Sequence, residues 1–471
     1  MSRSTLLEQS LAALGRMLRD GTLTAEALHQ AAEERHSRHH ETLGAYITWD
    51  PAGARETARL ADMAFRSGHD LGPLQGLPVS VKDIYGVRDL PIFAGSPRRL
   101  PPHWEREGPL VTALRRQLAV ITGKTHTVEF AFGGLGLNAH WEVPTNPWGL
   151  PERRVPGGSS AGAGVSLCEG SALVALGSDT AGSVRIPASL TGNVGLKTSA
   201  GRWPRDGVVP LSTTFDTLGL LTRTVDDLAV AFPAIDARLG LGPDRPIAAP
   251  AGGVTSLRIG VCDRFFWDEC SPGVAEGVKS VLDELAARGA RIVPIDLPEL
   301  DEAYAIFRKG GLAAAELSEF LAAELPEWFD TLDPNVRART VDGQSLSAVD
   351  YLNRVRIFSR AGASANERLR EVDVLATPTV AITPPKLTEV ADPEAYRRNN
   401  MLTLRNTSIG NLLGLCALTL PVALDRSAMP VGLQLVACRN TDAQLVAAAL
   451  AVEKALGNAR QRIGSPPLDG A

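Results

Sequence analysis

Hydrophobic positions in this chain fall into two textures. Apolar and polar residues alternate at helical spacing near the start, which predicts helix over residues 4–65, with one helix starting at Thr24 before AEALHQAAEER. From Leu77 the apolar residues gather instead into short runs: LPVSV (77–81), LAVITG (118–123) and SALVALG (171–177). Each run is closed by glycine or a polar turn and has the length of a buried strand rather than a helix. Ala-rich helical segments lie between them. The pattern predicts an α/β fold: a large mixed central β-sheet flanked by helices on both faces, with an N-terminal helical segment and a helical insertion.

The later chain extends this picture. GLAAAELSEFLAAELPEWF (311–329) predicts an amphipathic helix stopped near Pro326, part of a helical cap inserted at about residues 300–400. Near the end, Thr441-Asp442-Ala443-Gln444 spells a capping box. Leu445, Ala448, Val452 and Leu456 share one face behind it, and Gly457 supplies a stop. One domain over 1–471 is expected, made of a helical region (1–68), a core (69–235), a second part of the sheet with the cap (236–400) and a returning core segment (401–471).

Composition narrows the function more than the fold. A hydrophobic fraction of 44% over 471 residues supports a substantial core. A net charge of −5 offers no footprint for nucleic acid or an anionic membrane. No stretch has the length of a membrane span or the apolar run of a signal peptide, and five scattered cysteines without a Cys-x-x-Cys pair fit reduced thiols. The expected location is cytoplasmic, and no metal or cofactor is expected.

Residues 153–220 are dense in glycine, serine and threonine, and candidate chemistry concentrates there. Gly158-Ser159-Ser160-Ala161-Gly162 matches the G-x-S-x-G elbow, which requires a histidine later in the chain. All eight histidines, His29 to His140, precede it. His126 and His140 are the nearest and are weak candidates for catalysis. A serine nucleophile without histidine needs another base, and a lysine can serve when burial keeps it neutral. Lys82, closing LPVSVKD, sits where a core strand ends; the alternative is a strand-end lysine reaching solvent. Ser183 follows Gly177-Ser178-Asp179-Thr180-Ala181-Gly182 on a turn beyond a buried strand, where small residues leave backbone N–H groups open, as an oxyanion hole requires. On its own that segment could equally be a tight turn.

Together, VKD at Lys82, GGSSAGAG (157–164) and GSDTAGSVRIPA (177–188) closely resemble the amidase signature family. So do Asn146-Pro147, residues 194–229 and PVGLQLV (430–436), so that the resemblance runs from about residue 70 to the end. It implies an amidohydrolase with a Ser-Ser-Lys triad and an acyl-enzyme: Ser183 as nucleophile, Ser159 as proton relay preceded by a cis peptide, and Lys82 as base. It further implies an oxyanion hole from the N–H groups of Thr180, Ala181, Gly182 and Ser183, with Ser160, Arg185 and Asp179 in support. Arg185 is expected to be architectural rather than substrate-binding. Many family members carry Gly-Gly-Ser where this chain has Ala181-Gly182-Ser183, and TAGS resembles allophanate hydrolases, which leaves the acyl group open.

The loop EFAFGGLGLNAHWEVPTNPW (129–148) is expected to border the acyl pocket, with Phe130, Phe132, Gly133 and Gly134 as substrate-binding candidates. Leu135, Trp141 and Trp148 could add apolar walls or simply pack in the core. An apolar or aryl amide is favoured over a small charged one. The expected partner is a small-molecule amide, with no nucleic acid and no membrane, and there is room for a homodimer. Two rivals stand beside a free-standing amidase: the glutaminase subunit of an aminoacyl-tRNA amidotransferase, and a non-catalytic binding protein on the same fold.

Overall fold

The apolar runs that begin at Leu77, Leu118 and Ser171 become interior strands toward one end of a single sheet in the computed structural model, which describes residues 6–468. Ser4 and Thr5, at the expected start of the first helix, lie outside the described residues. Eleven strands pair among the described residues: β1 (Tyr46–Trp49), β2 (Pro78–Lys82), β3 (Val120–Thr125), β4 (Val174–Asp179), β5 (Val194–Lys197), β6 (Thr217–Thr222), β7 (Arg258–Val261), β8 (Arg291–Pro294), β9 (Val374–Pro378), β10 (Cys416–Leu424) and β11 (Pro430–Ala437). Their order across the sheet is β1-β3-β2-β4-β6-β5-β10-β11-β9-β7-β8. The sheet is mixed: β2 runs parallel to both β3 and β4, whereas β6 runs antiparallel to β4 and β5.

Every residue of β2, β3, β4, β5, β6 and β11 is buried. Successive side chains point to opposite faces of a sheet, so both faces here are covered. Helix Ala161–Glu169 packs on β4 and Val225–Arg238 on β6, while Val274–Ala287 and Asp442–Leu456 pack on β10. Because β2 and β4 are parallel neighbours, their C-terminal ends meet at one edge of the sheet. That edge carries Lys82 and the turn after Asp179.

Three local expectations are corrected. The N-terminal region is not helical throughout, because Tyr46-Ile47-Thr48-Trp49 forms β1 and pairs antiparallel with β3. Aromatic and β-branched residues favour a strand, and Gly44, at a φ of 61°, ends the preceding helix. The capping box at Thr441 is not made: the Thr441 hydroxyl donates to the Cys438 carbonyl (2.7 Å). Asp442 instead accepts from the Ser199 N–H and hydroxyl, each at 2.7 Å. The cap is also shorter than 300–400: four helices from Glu299 to Arg368 precede β9, which returns the chain to the sheet at Val374.

Helix Ala313–Glu324 ends just before Pro326, as its sequence predicts. Its buried Glu316 joins cap to core. The carboxylate accepts from the Ser212 hydroxyl, from the Thr214 hydroxyl and N–H, and from the Tyr351 hydroxyl.

Candidate active site

Lys82, Lys124 and Lys197 are all fully buried, and their surroundings differ in kind. Lys124 pairs with the Asp83 carboxylate at 2.8 Å. Lys197 donates to the Thr198 and Leu415 carbonyls. Lys82 donates, among the described residues, only to two serine hydroxyls, Ser159 Oγ at 2.7 Å and Ser178 Oγ at 2.9 Å. Burial pushes its pKa down from 10.5 to about 7, while the charges of Asp216 and Asp179 hold it up.

Ser159 arrives on the glycine loop ahead of helix Ala161–Glu169, and the Gly158–Ser159 peptide is cis. Ser160 N–H donates to the Ser183 carbonyl (3.2 Å), which ties the glycine loop to the turn that carries Ser183. The Ser160 hydroxyl bridges back to the Ser178 backbone. Ser159 and Ser183 share no side-chain hydrogen bond among the described residues; such contacts often tighten only once substrate is bound.

The turn itself is shaped by Asp179. Its carboxylate curls forward and accepts from the N–H groups of Gly182 (2.8 Å) and Val184 (3.1 Å). Gly182 sits at a φ of 134°, and a Cβ there would lie 2.1 Å from Thr407 Oγ1, so only glycine fits. Gly182 is therefore removed from the expected oxyanion donors: its N–H is already committed to Asp179. The N–H groups of Thr180, Ala181 and Ser183 have no protein acceptor among the described residues, and all three residues line the same cavity.

Beneath the turn, Arg185 is fully buried and grips Asp179 with two hydrogen bonds, at 3.0 and 2.8 Å. Its remaining donors meet the Thr407 carbonyl, Gln434 and Asn411. Burial opposes the Asp179 charge, but the Arg185 guanidinium outweighs it and holds the carboxyl at about 2. Arg185→Met should destabilise the fold by about 3–5 kcal/mol, because it strands a buried carboxylate. Denaturant unfolding checks this, and a change below about 1 kcal/mol would contradict it.

Nothing in the sequence singles out Asp216. It accepts from Thr180 Oγ1 (2.6 Å) and from the Leu211 and Ser212 N–H groups. Asp216→Asn removes a negative charge that raises the Lys82 pKa, so the acid limb of any pH–rate profile should move to lower pH. An unmoved midpoint would show that Asp216 carries no charge felt by Lys82.

The turn opens into a cavity of about 620 Å3, a volume suited to a small molecule. Phe132 and Gly133 line it; Phe130 and Gly134 do not. Phe130, at a φ of 46°, packs in the main core. Gly134 donates to Asn400 Oδ1 (2.8 Å), and a Cβ on it would press on Leu404 at 3.0 Å. Leu135 packs with Val155 and Val390, while the Trp141 and Trp148 indoles donate to the Ser96 and Thr191 carbonyls, so none of the three forms a wall. Leu211, Phe215, Phe307, Met401 and Leu404 supply apolar surface instead. The expected preference for an uncharged acyl group meets a different lining, since Arg308, Lys309, Arg339 and Arg397 also face this cavity. His126 and His140 are not among its lining residues. His126 is buried, and burial pushes its pKa down to about 3.

The chain is similar to known proteins over nearly its whole length. The family model Amidase matches residues 27–446. The chain is 52% identical over 459 residues to 2-amino-5-chloromuconic acid deaminase of Comamonas testosteroni, covering 98% of each. It is 33% identical to a glutamyl-tRNA(Gln) amidotransferase subunit of Chloroflexus aggregans, over 88% of this chain and 90% of that one. Among solved structures, an amidase superposes with a TM-score of 0.85 at 32% identity, covering 95% of this chain and 100% of the other. The native peptide amidase of Stenotrophomonas maltophilia gives 0.79 at 25% identity, covering 98% and 99%. No helix among the described residues is long and apolar enough to cross a membrane. This chain belongs to the amidase signature family and is a hydrolase of amide C–N bonds.

Proposed function

We propose that the protein cleaves the C–N bond of a small-molecule amide through an acyl-enzyme on Ser183, with Ser159 and Lys82 moving the proton. The observation that carries this reading is Lys82: a fully buried amine with a pKa of about 7, whose only hydrogen-bond partners among the described residues are serine hydroxyls. A neutral amine there is a base poised for pH 7.

Ser183 Oγ attacks the carbonyl carbon as its proton passes through Ser159 Oγ to Lys82 Nζ. Negative charge on the former carbonyl oxygen is met by the free N–H groups of Thr180, Ala181 and Ser183, donors fixed in place before reaction. As the tetrahedral intermediate collapses, Lys82 returns the proton through Ser159 to the departing nitrogen. An amine leaves poorly unless protonated, so this delivery favours amides. Water then attacks the ester on Ser183 along the same relay and releases the acid.

The 52% identity to a protein named for deaminating 2-amino-5-chloromuconic acid supports a small organic acid as substrate and ammonia as product. The glutaminase-subunit reading has weaker support, since the likeness to the amidotransferase protein is 33%. Two measurements on the isolated chain test the proposal: ammonia release from a panel of amides, ureas and carbamates, and mass mapping after a fluorophosphonate probe. Turnover without partner proteins and a single adduct at Ser183 are expected. An unlabelled Ser183 in folded protein would sink the mechanism.

Ser159→Ala should lower kcat by about a hundredfold or more, since it interrupts the relay while leaving nucleophile and base in place. Kinetics on the best amide of that panel would show it, and a loss below about fivefold would remove Ser159 from the relay.

A further inference from the structure

Cationic side chains on this cavity are poorly matched by protein acids. Four of them line it, Arg308, Lys309, Arg339 and Arg397, against one carboxylate, Asp342. No acid pairs with any of the four among the described residues. Arg339 is the most confined. It rises from helix Pro334–Gln344 and stacks over the Phe132 ring, its guanidinium carbon 3.6 Å from the ring centroid. One Nη1–H bond goes to the Phe132 carbonyl (3.0 Å), and the Tyr396 hydroxyl lies alongside.

Arg185 is placed quite differently. It spends its donors on Asp179, Gln434, Asn411 and a carbonyl, so it has nothing left for a ligand. Beyond the Phe132 carbonyl and the Tyr396 hydroxyl, the Arg339 fork has no protein acceptor among the described residues. A guanidinium held half-buried without a counter-ion is unfavourable, and the neighbouring Arg397 charge makes it more so. A carboxylate entering the cavity would relieve both, and the fork geometry suits its two oxygens.

Resting on the reading just given, we infer that Arg339 is the specificity-determining residue that binds a carboxylate carried by the acyl part of the substrate. The substrate class is then an amide whose acyl chain bears a second, ionised acid group, with the apolar walls covering the carbon chain between. The carboxylate is held on the cap and the scissile carbonyl on the core, so one molecule bridges the two.

A matched pair of substrates tests this: the monoamide of hexanedioic acid, and hexanamide, which lacks the carboxylate. The wild-type chain should favour the anionic amide in kcat/KM by about tenfold or more, as a charge-assisted, two-point contact predicts. In Arg339→Met the loss should fall on the anionic amide at least about tenfold more than on hexanamide, mainly through KM. Arg339→Lys should recover part of it, since a lysine restores the charge without the fork. Equal losses on both amides would assign Arg339 a structural role on the Phe132 loop and overturn the inference. So would a wild-type chain with no preference.

Binding provides a second readout that needs no turnover. Calorimetric titration with hexanedioate should show binding to wild type that weakens about tenfold in Arg339→Met; no binding to wild type would overturn the inference. Fluorophosphonate labelling separates the two proposals. A labelled Ser183 with no charge preference removes only the arginine's role, whereas an unlabelled Ser183 removes the mechanism and leaves the titration to decide the anion site.

Discussion

Ser183→Ala is expected to reduce amide hydrolysis to background, a loss of at least about ten-thousand-fold in kcat. It should also abolish fluorophosphonate labelling. The shape of the site should survive the change, because the hydroxyl does not hold the turn together. Asp179 fixes Gly182 and Val184 through their N–H groups, and Arg185 fixes Asp179. The Ser160 N–H bond goes to the Ser183 carbonyl, which alanine keeps. The unfolding midpoint should therefore stay put while activity disappears, a pairing that separates a lost nucleophile from a lost fold. Residual activity within about tenfold of wild type would move the nucleophile elsewhere.

Lys82→Met should cost about a thousandfold or more, since it removes the proposed base while filling a similar volume. The pH dependence gives a sharper test. The base must be neutral, and its pKa lies near 7, so the wild-type rate should fall about tenfold per pH unit below that value and level off above it. Lys82→Met should lose that limb together with the rate. Stability follows the same group. Folding lowers its pKa from 10.5 to about 7, so between those values the unfolded chain binds a proton that the folded chain does not. Stability from this group therefore rises with pH across that window, and Lys82→Met should flatten the rise. A rate unchanged from pH 5 to 9 in wild type would argue against a lysine base.

What is legible in the sequence is governed by neighbours along the chain. Apolar runs at Pro78–Lys82, Val120–Thr125 and Val174–Asp179 become interior strands because a run of that length cannot hide except inside a sheet. Lys82 stands out because it ends one of them. The departures have local physical causes too. The four residues of β1 are too few to break the helical period on either side of them. The small size of Gly182 suggests a free N–H, although an aspartate three residues earlier commonly turns onto the backbone ahead of it. Phe130, two residues before Phe132, should share its face in an extended loop, but a left-handed backbone at Phe130 breaks that alternation. Asp216 and Arg339 are not legible at all. One reaches the site from just before β6 and the other from a cap helix, and only the folded chain brings them beside Thr180 and Phe132.

The Glu316 junction gives the cap a bearing on evolution as well as on shape. The same short loop that supplies Ser212 and Thr214 to this carboxylate also supplies the Leu211 and Ser212 N–H groups to Asp216, which bonds Thr180. A cap transplanted from a relative would bring new walls but also release or displace that loop. Swapping specificity by exchanging helices is then not modular: Ser212, Thr214, Glu316 and Tyr351 have to travel as a set, and a chimera that splits them should accept its new substrate only with the proposed proton relay disturbed.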